Sequence, residues 1–260
     1  MTENKRLSII LPIYNDARIA DAIRSVRRFD DIGTVRLVVI DGGSRQEVKD
    51  MITTLLAPGD VFISEPDDGI FDALNKGLSL CGTEFIGWLG SDDLFTGKVL
   101  AGDVVCALEN HDLFVAGTAV FRGHQIRRVT HALPSRFGLA KFGLHNPHFS
   151  TFGRAEILKS DRFELGIRGA DIAYFLRIFA KKPKVMTTGT IATLMGEGGF
   201  STKSYCSILR INLQLLSVYS RSNNVLIVPL VLLIKLGYKS LSLLYYKVFK
   251  LERAALESRW

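Results

Sequence analysis

Cysteine is scarce in this chain, with three residues in 260, at the widely spaced positions 81, 106 and 206. An odd and scattered set argues against a disulfide scaffold and favours a reducing compartment. Residues 1–6 are polar and charged, and the apolar run at 7–13 is too short for a secretory leader. We therefore expect a cytoplasmic protein, long enough for one compact domain with an appendage.

Glycine-rich phosphate loops are missing where the first apolar run ends, because residues 12–18 contain no glycine. A dinucleotide-binding dehydrogenase needs G-x-G-x-x-G at that point, so this class is disfavoured. A nucleotidyltransferase usually carries a glycine- and lysine-rich loop there, which also counts against that class. A metal-dependent nucleotidyltransferase nevertheless stays as an alternative, since it could use the paired aspartates described below.

Net charge is absent from the first 202 residues, and the whole excess of +7 lies in residues 203–260, which hold nine basic and two acidic side chains. A neutral body lacks the basic footprint that DNA binding requires, so we expect no nucleic-acid partner. A basic tail instead suits the anionic surface of a membrane.

Apolar runs in the tail are too short for a membrane-spanning helix, which needs about 20 residues. The run at 225–234 is followed by Lys235 and Lys239. We predict a basic, apolar helical extension over residues 204–260 that lies on the membrane surface, after a catalytic body of residues 1–203. A C-terminal helix packed on the body and a helix that spans the membrane are the alternatives.

Short apolar runs alternate with helix-like stretches over the first 120 residues, which is typical of an α/β sheet with helical crossovers. The predicted strands are 7–13, 35–40, 61–64, 84–89 and 113–120, and the predicted helices are 17–29, 46–56, 70–80 and 98–109. The alternation then fades to a short strand near 125–129 and a helix over 170–180. We expect a nucleotide-binding half at 1–120 and an acceptor half at 121–203.

Residues suited to ligand binding lie at the carboxyl ends of the first two predicted strands, which is where α/β sheets bind ligands. Pro12 stops the ladder of the first strand, and Tyr14 after it can pack against a base or a ribose. Asp41 ends the second strand before two glycines, so its carboxylate can accept hydrogen bonds from a nucleotide. A helix cap at Ser44 is the alternative for this turn, although it leaves Asp41 unexplained.

Paired carboxylates, Asp92 and Asp93, come directly after the fourth strand. Such a pair is costly unless a cation neutralises it. Mg²⁺ or Mn²⁺ binds in this way, through one or two carboxylates and substrate phosphates. A capped helix start is the alternative, and it needs only one of the two aspartates. Asp67 or Asp68 can likewise cap the helix predicted at 70–80.

Together these motifs resemble glycosyltransferase family 2, the inverting enzymes of GT-A fold. Segments 12–15, 41–44, 64–77 and 88–93 correspond in order to the family's P-x-Y-N, D-G-G-S, S-E-P-D-x-G-I-[YF]-D-A-x-N-K-G and F-L-N-[AS]-D-D, with Gly90 in place of asparagine. The subgroup that the chain resembles contains bacterial enzymes of O-antigen, capsule and exopolysaccharide assembly. The resemblance implies a GT-A type mixed sheet flanked by helices.

The resemblance also implies a role for individual residues. Asp93 would hold Mg²⁺ or Mn²⁺ on the donor diphosphate. Looser matches in the second half would make Asp171 the catalytic base and place His148 on the acceptor side. The residues implied to bind the nucleotide-sugar are Pro12, Tyr14, Asp41, Asp68 and Asp92.

The activity implied is that of an inverting hexosyl- or N-acetylhexosaminyltransferase. Its donor would be a nucleoside-diphosphate sugar, a UDP-sugar before others. Its acceptor would be a hydroxyl of a glycan carried on a polyprenyl diphosphate, at the inner face of the cell membrane. A catalytically degenerate nucleotide-sugar-binding module is the second alternative, beside the nucleotidyltransferase.

Overall fold

A computed structural model describes residues 5–122, 125–132, 148–167 and 169–196. The predicted extension at 204–260 lies outside the described residues, so the boundary at 203 stays a prediction. Within the described ranges, no helix is long and apolar enough to cross a membrane.

The described residues form one mixed sheet with helices on both faces. In chain order the elements are β1 Leu7–Ile13, α1 Ile19–Phe29, β2 Val35–Asp41, α2 Gln46–Leu55, β3 Val61–Ser64, α3 Ile70–Leu80, β4 Phe85–Trp88, β5 Leu94–Phe95, α4 Ala101–Asn110, β6 Leu113–Arg122, β7 Gln125–Thr130, β8 Thr151–Arg154, α5 Ala155–Leu158, α6 Ala170–Ala180 and β9 Val185–Gly196. A 3₁₀ turn, His148–Ser150, precedes β8.

The strands lie in the order β3-β2-β1-β4-β8-β6-β9-β5, and β7 pairs with residues 118–122 of β6, beyond the part that pairs with β8. Strands β1 to β4 are parallel, as the alternation predicted. Strand β8 is antiparallel to both β4 and β6, so the sheet becomes mixed in its second half. Strands β5, β8 and β9 were not predicted from the sequence.

Side chains alternate between the two faces of the sheet, as the two-residue period of a strand requires. In β1, Leu7 and Ile9 pack under α1, α2 and α4, whereas Ile10 packs under α3 and α6. Helix α3 approaches β1 so closely that a Cβ at Gly77 would lie 2.4 Å from Ile10 Cγ2. Glycine in the middle of a helix is therefore explained by packing.

Helix α1 shows how the sequence specifies one of these layers. Ile19, Ile23 and Val26 recur at helical spacing and are buried against the sheet. Phe29 closes the same stripe, with its ring centroid 4.4 Å from that of Phe95. Full burial of such side chains contributes about 1.5–3 kcal/mol each, so this stripe holds α1 against the sheet.

Candidate active site

The register of the parallel strands brings the predicted motifs to one edge of the sheet. Ile13 at the end of β1 pairs with Asp41 at the end of β2, and Asp41 pairs with Ser64 at the end of β3. The amide of Leu89 donates to the carbonyl of Ile10 at 3.0 Å, which continues the ladder just beyond β4. Ligands of α/β sheets bind at such an edge, so these strand ends are the candidate site.

Pro12 and Tyr14 lie at the end of β1, where the sequence placed them. Pro12 is buried and has no N–H, but it does not stop the ladder as predicted, because β1 stays paired with β2 through Ile13, whereas β4 pairs with β1 only as far as Ile10. Tyr14 is 67% exposed although it is a large aromatic residue. An exposed ring beside a strand end is suited to packing against a flat base or a sugar.

Asp41 is fully buried, and its carboxylate closes the turn after β2. It accepts hydrogen bonds from the amide of Ser44, at 3.1 Å to each oxygen, and from the hydroxyl of Ser64 at 2.7 Å. Ser44 does not cap α2, because its hydroxyl accepts the amide of Asn15 and the N-cap of α2 is Arg45. The capping alternative for Ser44 is therefore wrong, and the contact of Asp41 with a nucleobase stays a prediction.

Asp67 and Asp68 lie in the loop between β3 and α3. Asp67 accepts the amide of Gly69 at 2.9 Å and lies against Gly42, where a Cβ would be 2.6 Å from the Asp67 carboxylate. The N-cap of α3 is Gly69, with no side-chain hydrogen bond, so neither aspartate caps this helix as the alternative proposed. Asp68 is exposed in this loop.

Asp93 is the most deeply buried of the acidic residues after β4, at 3% exposed. Its carboxylate accepts the amide of Gly196, at the end of β9, at 3.1 Å. Burial and the neighbouring charge of Asp92 raise the pKa of Asp93 to about 7, although the amides of Gly196 and Gly90 oppose that rise. A carboxylate in this position gains from any cation that stabilises its ionised form.

Strand β5 begins at Leu94, directly after the aspartate pair, and the next helix, α4, begins only at Ala101. The capped-helix alternative for this pair is therefore wrong. Close packing around Asp93 also explains why residue 90 is glycine, because a Cβ at this position would lie 2.5 Å from the Asp93 carboxylate.

The donor set fits a divalent cation that takes few protein ligands. Within the described ranges, no group of three or more His, Cys, Asp or Glu side chains is arranged to hold a metal by itself. Mg²⁺ and Mn²⁺ bind through one or two carboxylates and complete their shell with phosphate oxygens and water. Asp92 and Asp93 supply such a pair of carboxylates at this edge of the sheet.

Arg18, in the loop between β1 and α1, is a charged residue of this edge that the motifs did not identify. Its guanidinium donates to Asp16 at 2.6 Å and lies 3.4 Å from Asp92. Burial alone would raise the pKa of Asp16, but hydrogen bonds from Arg18 and Ser91 lower it. A basic residue two positions after an acidic one, directly beyond a strand, was the available signal in the sequence.

His148 and Asp171, which the sequence predicted as separate site residues, come together in the second half of the described chain. Nδ1 of His148 lies 3.3 Å from a carboxylate oxygen of Asp171, and both side chains are about one-fifth exposed. Asp171 stands in the first turn of α6, where the helix dipole favours a negative charge. The indole N–H of Trp88, in β4, donates to the carbonyl of His148 and so links this pair to the parallel part of the sheet.

A buried hydroxyl cluster supports the 3₁₀ turn that carries His148. Thr118 and Thr193 are paired across β6 and β9, and the hydroxyl of Ser150 lies 2.7 and 2.9 Å from theirs. The Thr193 hydroxyl donates to the carbonyl of Phe149 at 3.0 Å. Sequence reasoning missed this cluster, since its members come from three separate elements and form no local pattern.

A sequence model described as Glycosyl transferase family 2 matches residues 8–182. An uncharacterised glycosyltransferase of Mycobacterium tuberculosis is 30% identical over 186 residues, which cover 68% of this chain and 70% of the relative. A PGL/p-HBAD biosynthesis glycosyltransferase of the same organism is 35% identical over 99 residues, 36% of this chain and 38% of the relative. The resemblance predicted from the motifs is confirmed.

Solved structures confirm the predicted fold. Staphylococcus aureus TarS 1–349 in complex with UDP-GlcNAc superposes with a TM-score of 0.63 at 15% identity, over 82% of this chain and 65% of that one. A mannosyltransferase from Pyrobaculum calidifontis with GDP-Man and Mn²⁺ gives 0.58 at 15% identity, over 85% and 65%. The chain thus spans about two thirds of the length of these neighbours, and at this identity the likeness shows the GT-A type fold alone.

Proposed function

The chain belongs to glycosyl transferase family 2, and we propose that this glycosyltransferase moves a sugar from a nucleoside-diphosphate sugar to a hydroxyl of a glycan acceptor, with inversion. The observation that carries the proposal is the buried Asp93 beside Asp92, at the edge where four strand ends meet. Two structural neighbours are described with UDP-GlcNAc and with GDP-Man. We therefore propose a hexosyl- or N-acetylhexosaminyltransferase, with a UDP-sugar as the first donor to test.

Asp93 is the proposed ligand of Mg²⁺ or Mn²⁺ at the donor diphosphate, and Asp92, to which the resemblance gives a contact with the ribose or sugar, lies close enough to be a second ligand of the cation. When bound, such a cation stabilises the negative charge that develops on the leaving diphosphate. The neighbour described with Mn²⁺ supports this proposal. Gly196 holds the Asp93 carboxylate by its amide, so the end of β9 helps to orient this ligand.

The nucleoside would lie against the ends of β1, β2 and β3. Tyr14 offers an exposed ring for the base or ribose, and Pro12 before it has no N–H and is paired only with β2 at this end of β1. The carboxylate of the buried Asp41 accepts a hydrogen bond from the hydroxyl of Ser64. A nucleobase N–H would replace that hydroxyl as the donor. Asp68, exposed in the loop after β3, would complete this side of the site.

Asp171 is the proposed catalytic base. It would accept the proton of the acceptor hydroxyl while the acceptor oxygen bonds to the anomeric carbon and the bond from that carbon to the diphosphate oxygen breaks. General base help of this kind contributes about 10²–10⁴-fold. His148 contacts the Asp171 carboxylate at 3.3 Å and would orient it toward the acceptor.

The acceptor is proposed from charge and composition of the C-terminal region. Its nine basic and two acidic residues, among apolar runs, favour an anionic membrane surface at the cytoplasmic face. A glycan linked to a polyprenyl diphosphate, as in O-antigen or exopolysaccharide assembly, would be presented at that surface.

A thermal-shift series tests donor binding directly. UDP, GDP, CDP and dTDP would each be added with Mn²⁺, with Mg²⁺ or with EDTA. At 100 times its dissociation constant, a ligand stabilises the protein by about 2.7 kcal/mol, which is roughly 5–10 °C for a chain of this size. A metal-dependent rise with one nucleotide supports the proposal, and no rise with any of them contradicts it.

A further inference from the structure

Arg18 places one positive charge between two loops of the candidate active site. Its Nε and Nη2 donate to Asp16 at 2.9 and 2.6 Å, and its Nη1 lies 3.4 Å from Asp92. Asp16 follows β1, whereas Asp92 follows β4. The guanidinium therefore joins the nucleotide-side loop to the loop that carries the proposed metal ligands.

The side chain of Arg18 is held by charge and not by packing, because it is 61% exposed. The carboxylate of Asp16 accepts hydrogen bonds from two nitrogens of the Arg18 guanidinium, and the third nitrogen lies beside Asp92. An exposed guanidinium can exchange one carboxylate for another anion without opening a cavity. It is also well matched to phosphate oxygens, which it can bind with two parallel N–H groups.

Two cations cannot both neutralise Asp92 without repelling one another. A free divalent ion must displace Arg18 from Asp92 or bind beside its charge. A diphosphate removes this conflict, since its oxygens can accept Arg18 while the metal takes Asp92. The positive charge of Arg18 therefore opposes the binding of a metal ion alone and favours the binding of a metal ion together with the nucleotide.

We propose that Arg18 makes metal binding depend on the nucleotide: it holds Asp92 in the free enzyme, and it moves to the diphosphate when donor and metal bind. This inference rests on the proposed function, because it assumes that Asp92 and Asp93 bind a metal-diphosphate. By linkage, the factor by which nucleotide tightens metal binding equals the factor by which metal tightens nucleotide binding. Arg18 would set a large part of that factor.

The test is a Mn²⁺ titration followed by electron paramagnetic resonance, with and without UDP, on the full chain and on Arg18→Gln. Arg24→Gln is the matched control, because Arg24 is 56% exposed on α1 and pairs with Asp21 away from the strand ends. Arg18→Gln is expected to bind Mn²⁺ more tightly than wild type without UDP. It is also expected to lose at least about fivefold of the enhancement by UDP, the lower end of typical coupling.

Arg18→Lys separates charge from the geometry of the guanidinium. It keeps the positive charge, so Mn²⁺ binding without UDP should stay close to wild type, while its single ammonium group should recover only part of the enhancement. Circular dichroism and melting temperature would confirm that each variant is folded.

Weaker or unchanged Mn²⁺ binding by Arg18→Gln would overturn the inference, because Arg18 would then only position Asp92. The wild-type titration separates this failure from failure of the proposed function. If wild type binds Mn²⁺ and UDP but Arg18→Gln behaves like it, only the inference fails. If wild type binds neither, both the inference and the proposed metal-dependent donor site fail.

Discussion

Asp93 gives the chain a pH-dependent stability that can be worked out from its surroundings. Burial and Asp92 raise the pKa of Asp93 from an ordinary 3.8 to about 7. Between these values the folded protein keeps a proton that the unfolded chain has released. The free energy of unfolding therefore falls as pH rises through this window, and the contribution is lost above about pH 7.

The size of this effect follows from the rise in pKa, which corresponds to about 4 kcal/mol as an upper value. Asp93→Asn removes the titration and keeps an oxygen that can accept the amide of Gly196. In EDTA, the melting temperature of Asp93→Asn minus that of wild type should rise between pH 4 and pH 8, by up to about 8–16 °C. Mn²⁺ added together with UDP should stabilise wild type at pH 8 more than it stabilises the variant.

The measurement is differential scanning fluorimetry across pH, with Asp50→Asn as control, because Asp50 is exposed on α2. The control should follow wild type at every pH. Parallel curves for wild type and Asp93→Asn would refute the reasoning, since they would mean that Asp93 titrates at its ordinary pKa.

Three further predictions concern the base, the core and the tail. Asp171→Asn should bind nucleotide as wild type does and lose about 10²–10⁴-fold in kcat, and an unchanged turnover would show that another group is the base. Gly77→Ala should lower the free energy of unfolding by about 1–3 kcal/mol in urea, because its Cβ would meet Ile10, whereas Gly82→Ala, with its nearest atom at 3.7 Å, should change little. A chain that ends at Ser204 should stay in the supernatant when membranes are pelleted, and co-sedimentation equal to that of the full chain would contradict the membrane role of the tail.

The strand-end motifs could be located from sequence because each follows a buried apolar run. Asp41 is the last residue of β2, and the Asp92–Asp93 pair follows β4 after three residues, so the parallel register places these carboxylates at one edge of the sheet. Helices α3 and α6 also begin and end where the periodicity predicted, since their buried stripes are regular.

Long-range pairs could not be predicted in the same way. The contacts of Arg18 with Asp92, and of His148 with Asp171, join segments far apart in the chain, and neither pair leaves a local pattern. Strand β9 was missed because its sequence has no two-residue alternation of apolar and polar side chains. Such an alternation is not required here, since most of its residues are only half-buried on either face. Strand β5 has two residues, too few for any periodicity.

Sugar transfer itself is the most direct test of the account. Purified protein would be incubated with Mn²⁺, radiolabelled UDP- and GDP-sugars, and a lipid extract that contains polyprenyl-diphosphate glycans. We predict that wild type moves label from one donor into the lipid fraction, and that Asp93→Asn and Asp171→Asn do not. Donor binding without any transfer would contradict the account and favour a degenerate binding module, and release of pyrophosphate from a nucleoside triphosphate would favour a nucleotidyltransferase.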